Sequence, residues 1–230
     1  MDIEEYSKVA PQYYTDEVPQ MLIFLVKTHA YKSILDCGCG DGSLLHALNK
    51  RGFLHDKVVC GVDYSKSRVK LVKKINSKFT VAVDNAETLE TIKNNSIDLF
   101  ISTQVIEHVD DEKMINTMYR VIKKNGRVYL STVFKKWYGW YFYRNETGWV
   151  LDPTHLREYQ QDKQLTQYFK GKFRTIRSSK SLQWFPVIDF LAKRISRLTR
   201  DRDTWIWKLI RSIRIPILGY YNWEMILQKV

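Results

Sequence analysis

The sequence predicts an α/β fold: a Rossmann-like, doubly wound, mostly parallel sheet of seven strands, with a helical insertion before the last strand. Three observations predict it. From Ser33 onward, short β-branched apolar runs alternate with segments of helical period; the first run ends in Asp36-Cys-Gly-Cys-Gly-Asp-Gly42; and the second ends in another acid, Asp63. At 230 residues and 44% hydrophobic content the chain can bury the core of one domain.

Residues 1–30 read as an N-terminal helical cover. The runs Ser33–Cys37, Lys57–Val62, Lys78–Val83, Ile97–Ser102 and Arg127–Val133 are mostly apolar, as expected of strands buried on both faces. Between them Ser43–Arg51, Ser65–Ile75 and Asp110–Lys124 carry apolar residues at helical spacing. Ser65 is placed to cap its helix, and Asn125-Gly126 reads as a helix stop. After Val133 the period disappears: residues 134–160 are rich in Trp, Tyr and Phe and are expected to form an ordered loop. Asp162–Phe169 reads as a short helix, Lys172–Ser178 as the sixth strand and Trp223–Val230 as the core of a closing strand over 216–230. Residues 184–215 are then an insertion between the last two strands, and the whole reads as a single domain with no repeat.

The longest apolar run, Met21–Val26, falls far short of the roughly 20 residues that span a bilayer, and Met1-Asp-Ile-Glu-Glu lacks a cationic leader. A cytoplasmic location is expected. Three cysteines suit no disulfide framework, and Cys37 and Cys39 have no second pair at ligand spacing, so all three are expected to be reduced and no metal site is expected. The sequons at Asn94 and Asn145 are then chance matches. The formal charge is +12, and residues 170–214 hold 13 Lys and Arg against three Asp, which accounts for ten of those charges. An anionic membrane, a phosphorylated substrate or nucleic acid would each complement such a segment.

Ligands of this sheet type sit at the carboxyl ends of the strands. Gly38, Gly40 and Gly42 let the main chain approach a ligand, and the helix that follows supplies unpaired N–H groups. Ser43 stands where a dinucleotide fingerprint needs its third glycine. Asp63, at the tip of the second strand, can accept both hydroxyls of a ribose, and Asp84 or Asn85, after the third, can accept from an adenine amino group. The plainer reading is that these acids cap helices.

The set Leu35-Asp-Cys-Gly-Cys-Gly-Asp-Gly42, Gly61-Val-Asp-Tyr-Ser65, Asp84-Asn-Ala-Glu87 and Ser96-Ile-Asp-Leu-Phe-Ile-Ser-Thr-Gln-Val-Ile-Glu-His-Val109 resembles the successive motifs of class I S-adenosylmethionine-dependent methyltransferases. Within that class it is similar to the small-molecule branch that includes the ubiquinone-biosynthesis O-methyltransferases. The match covers about residues 30–133. The resemblance implies S-adenosylmethionine as cofactor, with Asp36, Gly38, Cys39, Gly40 and Gly42 beside its methionyl part and Asp63 and Tyr64 at the ribose. It further implies Asp84, Asn85 and Ala86 near the adenine, and Thr103 or Gln104 close to the sulfonium. Family members usually have Gly-Asp-Ala-Glu at 84–87, so the adenine contact falls on either Asp84 or Asn85. Tyr6–Tyr13 resembles the helix that covers the cofactor in such enzymes, which brings Tyr13 into the set.

Methyl transfer from a sulfonium is an in-line displacement, so alignment and exclusion of water are the main demands. An alcohol or phenol acceptor also needs a base, usually His near neutral pH. His108 and His155 are the candidates. Certain relatives carry Glu-x-x-Glu-His here as a divalent metal site; this chain has Gln104-Val-Ile-Glu107-His108, and losing one carboxylate weakens a hard-cation site. His155 lies in Asp152-Pro-Thr-His-Leu-Arg-Glu-Tyr159, which resembles a segment of methyltransferases in glycan and lipid-linked sugar pathways. Asp152 or Glu158 would set its tautomer and Arg157 would hold an anionic group; His155 is slightly favoured as base. A helix cap at Glu107-His108 and a hydrogen-bonded turn at 152–159 are the structural alternatives. The series Trp137, Tyr138, Trp140, Tyr141, Phe142 and Tyr143 would stack on sugar rings, line an apolar pocket, or pack the loop onto the sheet.

In the basic segment, Val187, Phe190, Leu191, Ile195 and Leu198, then Trp205, Ile206, Leu209, Ile210 and Ile213, recur at helical spacing among Lys and Arg. Such a pattern suits a substrate lid or peripheral contact with an anionic membrane. The expectation is O-methylation of a small acceptor, lipid-linked or sugar-containing. A nucleic-acid methyltransferase is the first rival, but no Asn/Asp-Pro-Pro-Tyr-type motif follows the fourth strand. A non-catalytic cofactor-binding module is the second.

Overall fold

The computed structural model describes residues 17–146, 148–185 and 214–230. The expected N-terminal cover with Tyr13, and most of the basic insertion, lie outside these residues. The described elements are α1 (Gln20–Thr28), β1 (Ser33–Cys37), α2 (Ser43–Lys50), β2 (Val58–Asp63), α3 (Lys66–Ile75), β3 (Thr80–Val83), β4 (Ile97–Thr103) and α4 (Asp111–Val121). They continue with β5 (Ile122–Lys135), β6 (Tyr143–Asn145), β7 (Gly148–Val150), α5 (Asp162–Thr166), β8 (Phe173–Phe185) and β9 (Ile215–Lys229).

Seven strands form one sheet in the order β3-β2-β1-β4-β5-β9-β8, with β1 to β5 parallel and β9 antiparallel to both neighbours. This is the doubly wound sheet expected, and its order reverses between β1 and β4, the crevice where such sheets bind ligands. Alternation along each strand divides the core. Leu35, Phe100, Val128 and Leu130 face α4 and Trp223, whereas Ile34, Leu99, Ile101 and Tyr129 face α1 and α2. Each such Leu or Ile, fully buried, contributes about 1.5–3 kcal/mol.

Several boundaries differ from expectation, for local reasons. Helix α4 is capped by Asp110, which accepts from the Lys113 N–H at 3.0 Å, and it ends at Val121, not at Lys124. The N–H groups of Asn95 and Ser96 take the Arg120 and Val121 carbonyls, and Lys229 Nζ takes those of Tyr119 and Ile122, so the last turn is tied down early. Residues 122–126 then open β5 irregularly, through a register shift against β4, with Asn125 at φ 63°. Strands β8 and β9 run far beyond their expected lengths and stay paired out to Phe185↔Ile215, so the insertion leaves and re-enters the sheet at adjacent strand ends. The aromatic stretch is not all loop: β6 and β7 pair as a small separate hairpin.

Candidate active site

The cleft is built at the tips of β1, β2 and β4. Gly38, Gly40 and Gly42 all have positive φ, 77°, 55° and 87°. They serve different ends. A Cβ on Gly38 would lie 2.2 Å from Val105 Cγ2 and one on Gly42 2.5 Å from Ile75 Cδ1, so these two allow close packing; a Cβ on Gly40 would meet nothing within 4 Å and would project into open space at the cleft. Asp63 fixes the loop: its Oδ2 accepts from the Gly40 N–H and its Oδ1 from the Ser65 N–H, both at 2.9 Å. Ser65 in turn caps α3, accepting from the Arg68 N–H at 3.3 Å.

Asp36 is buried with neither carboxylate oxygen hydrogen-bonded by the protein. Burial, then the nearby Asp63 charge, push its pKa up to about 7. A buried acid without a partner is costly unless something cationic or donating completes it. The amino group of a methionyl ligand would do so.

At the tip of β3 the two candidates separate. Asp84 is consumed by the following turn, accepting from the Asn85, Glu90 and Thr91 N–H groups and from the Thr91 hydroxyl. Asn85 Oδ1 accepts from the Glu87 N–H at 2.9 Å. Asp84 therefore shapes the edge of the cleft, and the Asn85 side chain holds the start of the same turn. Tyr64 is exposed beside Asp63. Cys37 and Cys39 are free thiols that burial pushes far above the ordinary thiol range, and they belong to different core clusters.

Gln104, at φ 54° after β4, donates from its N–H to the Ser131 carbonyl and from its side chain to Asn222 Oδ1 at 3.1 Å. Thr103 and Gln104 line an open cavity of about 420 Å³ with Leu44, Tyr129, Ser131 and Asn222; Trp184 and Arg214 stand at its wall. Ser131, Tyr129 and Asn222 were not among the residues singled out from sequence. Nothing in their spacing marks them, because the pairing of β5 with β9 brings them together.

His108 and His155 come together, with ring centroids 4.7 Å apart and nearly edge to face. The turn Ile106–His108 carries Glu107 and His108, and the loop before α5 carries His155. Arg157 clasps the two segments by donating to the Ile106 and Val109 carbonyls and lying 3.7 Å from Asp111, so it serves as a clasp and not as the expected anion holder. Of the two acids expected to set the tautomer, Glu158 does so: its Oε1 is 2.8 Å from His155 Nδ1, whereas Asp152 binds the Thr154 hydroxyl and N–H. A carboxylate accepts and does not donate, so the proton sits on Nδ1 and Nε2 keeps its lone pair.

Glu107 is buried, its Oε2 accepting from the Thr132 hydroxyl at 3.0 Å and its Oε1 without a partner. Burial is the main cause that raises its pKa to about 7. His108 Nδ1 lies 3.1 Å from the Thr154 hydroxyl, and burial, then His155, depress its pKa. Glu107, His108 and His155 each present a ligand-type atom within 4.8 Å of the others. Two nitrogens and one oxygen form a softer donor set than the carboxylate-rich site of the relatives, one suited to zinc or iron more than magnesium. Neither histidine lines the 420 Å³ cavity; the cluster lies toward Thr132, on the face opposite Ser131 and Tyr129.

A methyltransferase-domain family model matches residues 35–130. The ubiquinone biosynthesis O-methyltransferase of Pseudomonas paraeruginosa is 31% identical over 109 residues, 45% of this chain and 45% of its own length. A crystal structure of a SAM-dependent methyltransferase from Methanosarcina mazei superposes with a TM-score of 0.62 at 16% identity, covering 93% of this chain and 99% of that one. That of the cyclase SpnF superposes with the same score, 0.62, at 15% identity, covering 91% and 80%.

Residues 35–130 are thus similar to a methyltransferase domain.

The cleft fits S-adenosylmethionine, the cofactor such a domain implies, on two counts: the orphaned Asp36 carboxylate awaits a cation, and Gly40 leaves room that any side chain would fill. The chain spans less than half the length of the curated relative it matches. The structural likeness establishes the fold alone, since a cyclase shares it as closely.

Proposed function

We propose that the protein is an S-adenosylmethionine-dependent methyltransferase that methylates an oxygen of a small acceptor, lipid-linked or sugar-containing, with His155 as the base. The observation that carries the reading is the His155–Glu158 contact at 2.8 Å beside Glu107 and His108. Bound in the cleft, S-adenosylmethionine supplies an electrophilic methyl on its sulfonium. Asp36 receives the methionyl amino group, Asp63 the ribose and Asn85 the adenine, while Thr103 and Gln104 border the sulfonium. His155 Nε2 takes the acceptor's hydroxyl proton, and Glu158 holds the ring and balances the imidazolium that forms. The name of the curated relative, an O-methyltransferase, favours oxygen as the atom methylated.

A second reading is favoured by the cavity itself, which Arg214 lines and the histidines do not. A carboxylate acceptor held there by Arg214 would arrive already deprotonated and need no base. Turnover of hydroxyl acceptors by His155→Gln and His155→Ala, with chelator present, separates the two. The first reading expects a drop of about 10²–10⁴-fold with S-adenosylmethionine binding intact. Full turnover in both variants overturns it, and loss of turnover on Arg214→Gln alone supports the second.

A further inference from the structure

The sequence left the aromatic stretch open among three uses, and the structure leaves much of it exposed. Trp137 is 85% exposed, Phe142 68%, Trp140 53% and Tyr138 50%. These rings lean on one another: Trp137 with Tyr138, Trp140 with Phe142 and Trp149, and Tyr141 with Phe142 and Tyr143, all with centroids within 5.9 Å. The ridge is anchored to the sheet where the Tyr220 hydroxyl donates to the Trp149 carbonyl at 2.9 Å, and again at Gly219. The Lys136 N–H donates to the Gly219 carbonyl at 2.7 Å, and Gly139 and Gly219 pack so closely that a Cβ on Gly219 would fall 2.5 Å from Gly139 Cα. Flanking that anchor on β9, Leu218 is 70% exposed and Ile215 56%. Trp184, paired opposite Pro216, continues this surface to the wall of the cavity.

We propose that this ridge, with Leu218 and Ile215, docks the protein on the headgroup layer of an anionic bilayer. Exposed apolar surface on this scale marks an interaction site, and Trp and Tyr with aliphatic neighbours are the residues that settle at a membrane–water interface. The charges agree. Lys136 and Arg144 are exposed on the ridge, Glu146 is the only acid between residues 136 and 149, and the chain carries +12 overall. Anionic lipid complements that charge, whereas a second copy would set like charge against like. Leu218 and Ile215 also offer a nucleic acid nothing to read, although stacked rings alone would suit single strands. No helix of the described residues is long and apolar enough to cross a membrane, so the contact is peripheral. The inference does not depend on the acceptor or on the base.

The test uses the full chain with vesicles of neutral lipid, or of neutral lipid with about one-third anionic lipid, read by co-sedimentation and Trp emission. The expected result is binding to anionic vesicles at least about tenfold tighter than to neutral ones, with a blue shift. The ridge variants Trp137→Ser/Trp140→Ser and Leu218→Ser should lose most of it while retaining S-adenosylmethionine binding, which shows that they fold. Lys136→Glu/Arg144→Glu should weaken the anionic preference. No binding to either vesicle overturns the proposal. So does wild-type binding by the ridge variants, which would assign the contact to other residues, and so does stronger retention by single-stranded RNA than by anionic vesicles.

Discussion

Glu158 and His155, three residues apart, face each other across 2.8 Å with side chains only 2% and 5% exposed. An ion pair or hydrogen bond so thoroughly removed from water is held in one geometry: the Leu151 N–H donates to the same Glu158 oxygen at 2.7 Å, and Lys135 Nζ lies 3.9 Å from the other. The contact orients an imidazole, whatever that imidazole then does.

Glu158 is therefore expected to act through His155. Glu158→Gln, which keeps the shape, should lower kcat about tenfold, and Glu158→Ala about a hundredfold, within the ~10²–10⁴ that a positioned base contributes. KM should change little. Steady-state kinetics beside thermal denaturation checks this, and a variant that loses stability but keeps its kcat would assign Glu158 a structural role only.

The three glycines of the first loop should respond differently to Ala. Gly40→Ala is expected to fold, losing about 1–2 kcal/mol to its left-handed backbone, and to lose S-adenosylmethionine binding because its methyl enters the cradle. Gly38→Ala should fail at folding, because its Cβ would overlap Val105. Calorimetric binding together with circular dichroism distinguishes the two. Normal cofactor affinity in Gly40→Ala would move the ligand elsewhere.

Cofactor affinity should rise with pH. Asp36 titrates at about 7, raised by burial and then by Asp63, so below that pH it holds a proton that a cationic ligand must displace. Affinity should weaken by up to about tenfold per pH unit below 7 and level off above it. Asp36→Asn should bind weakly and without this slope. Equal affinity at pH 6 and pH 8 in the wild type would remove Asp36 from the site.

Glu107 should make folding stability fall as pH rises. Its pKa goes from 4.5 to about 7 on folding, chiefly through burial, so between those values the folded chain retains a proton that the unfolded chain has released. The associated stability is present below pH 4.5 and lost as pH climbs through 7, on the order of 3 kcal/mol. Glu107→Gln should be more stable than wild type at pH 8 and nearly matched to it at pH 4.5. Denaturant titrations at the two pH values decide, and parallel pH curves would show that Glu107 does not carry the effect.

The glycine loop was legible in the sequence because it is local. A strand tip, a glycine turn and a helix start are neighbours in the chain, so Asp36, Gly40 and Asp63 could be placed at the strand ends from spacing. The neighbouring cavity was not. Tyr129, Ser131 and Asn222 meet only through the antiparallel pairing of β5 with β9, and Glu107 meets His155 through two loops that Arg157 clasps. Strand β8 was read too short for a related reason: it lies at the sheet edge, where Arg174, Arg177, Ser179 and Ser181 interrupt the apolar pattern that identifies a buried strand. The choice between Asp84 and Asn85 needed hydrogen bonds that no motif records.

Because β8 and β9 remain in register to Phe185↔Ile215, a connection between these two strand ends has to bridge only about one strand spacing, roughly 5 Å. A segment tethered in that way makes little demand on the sheet beneath it. Its length enters stability only through the logarithm of loop size, about 0.6 kcal/mol per doubling. Strand tips of this kind form a socket in which one insert can be exchanged for another, or for a simple turn, while the cofactor cleft at the tips of β1, β2 and β4 is left alone.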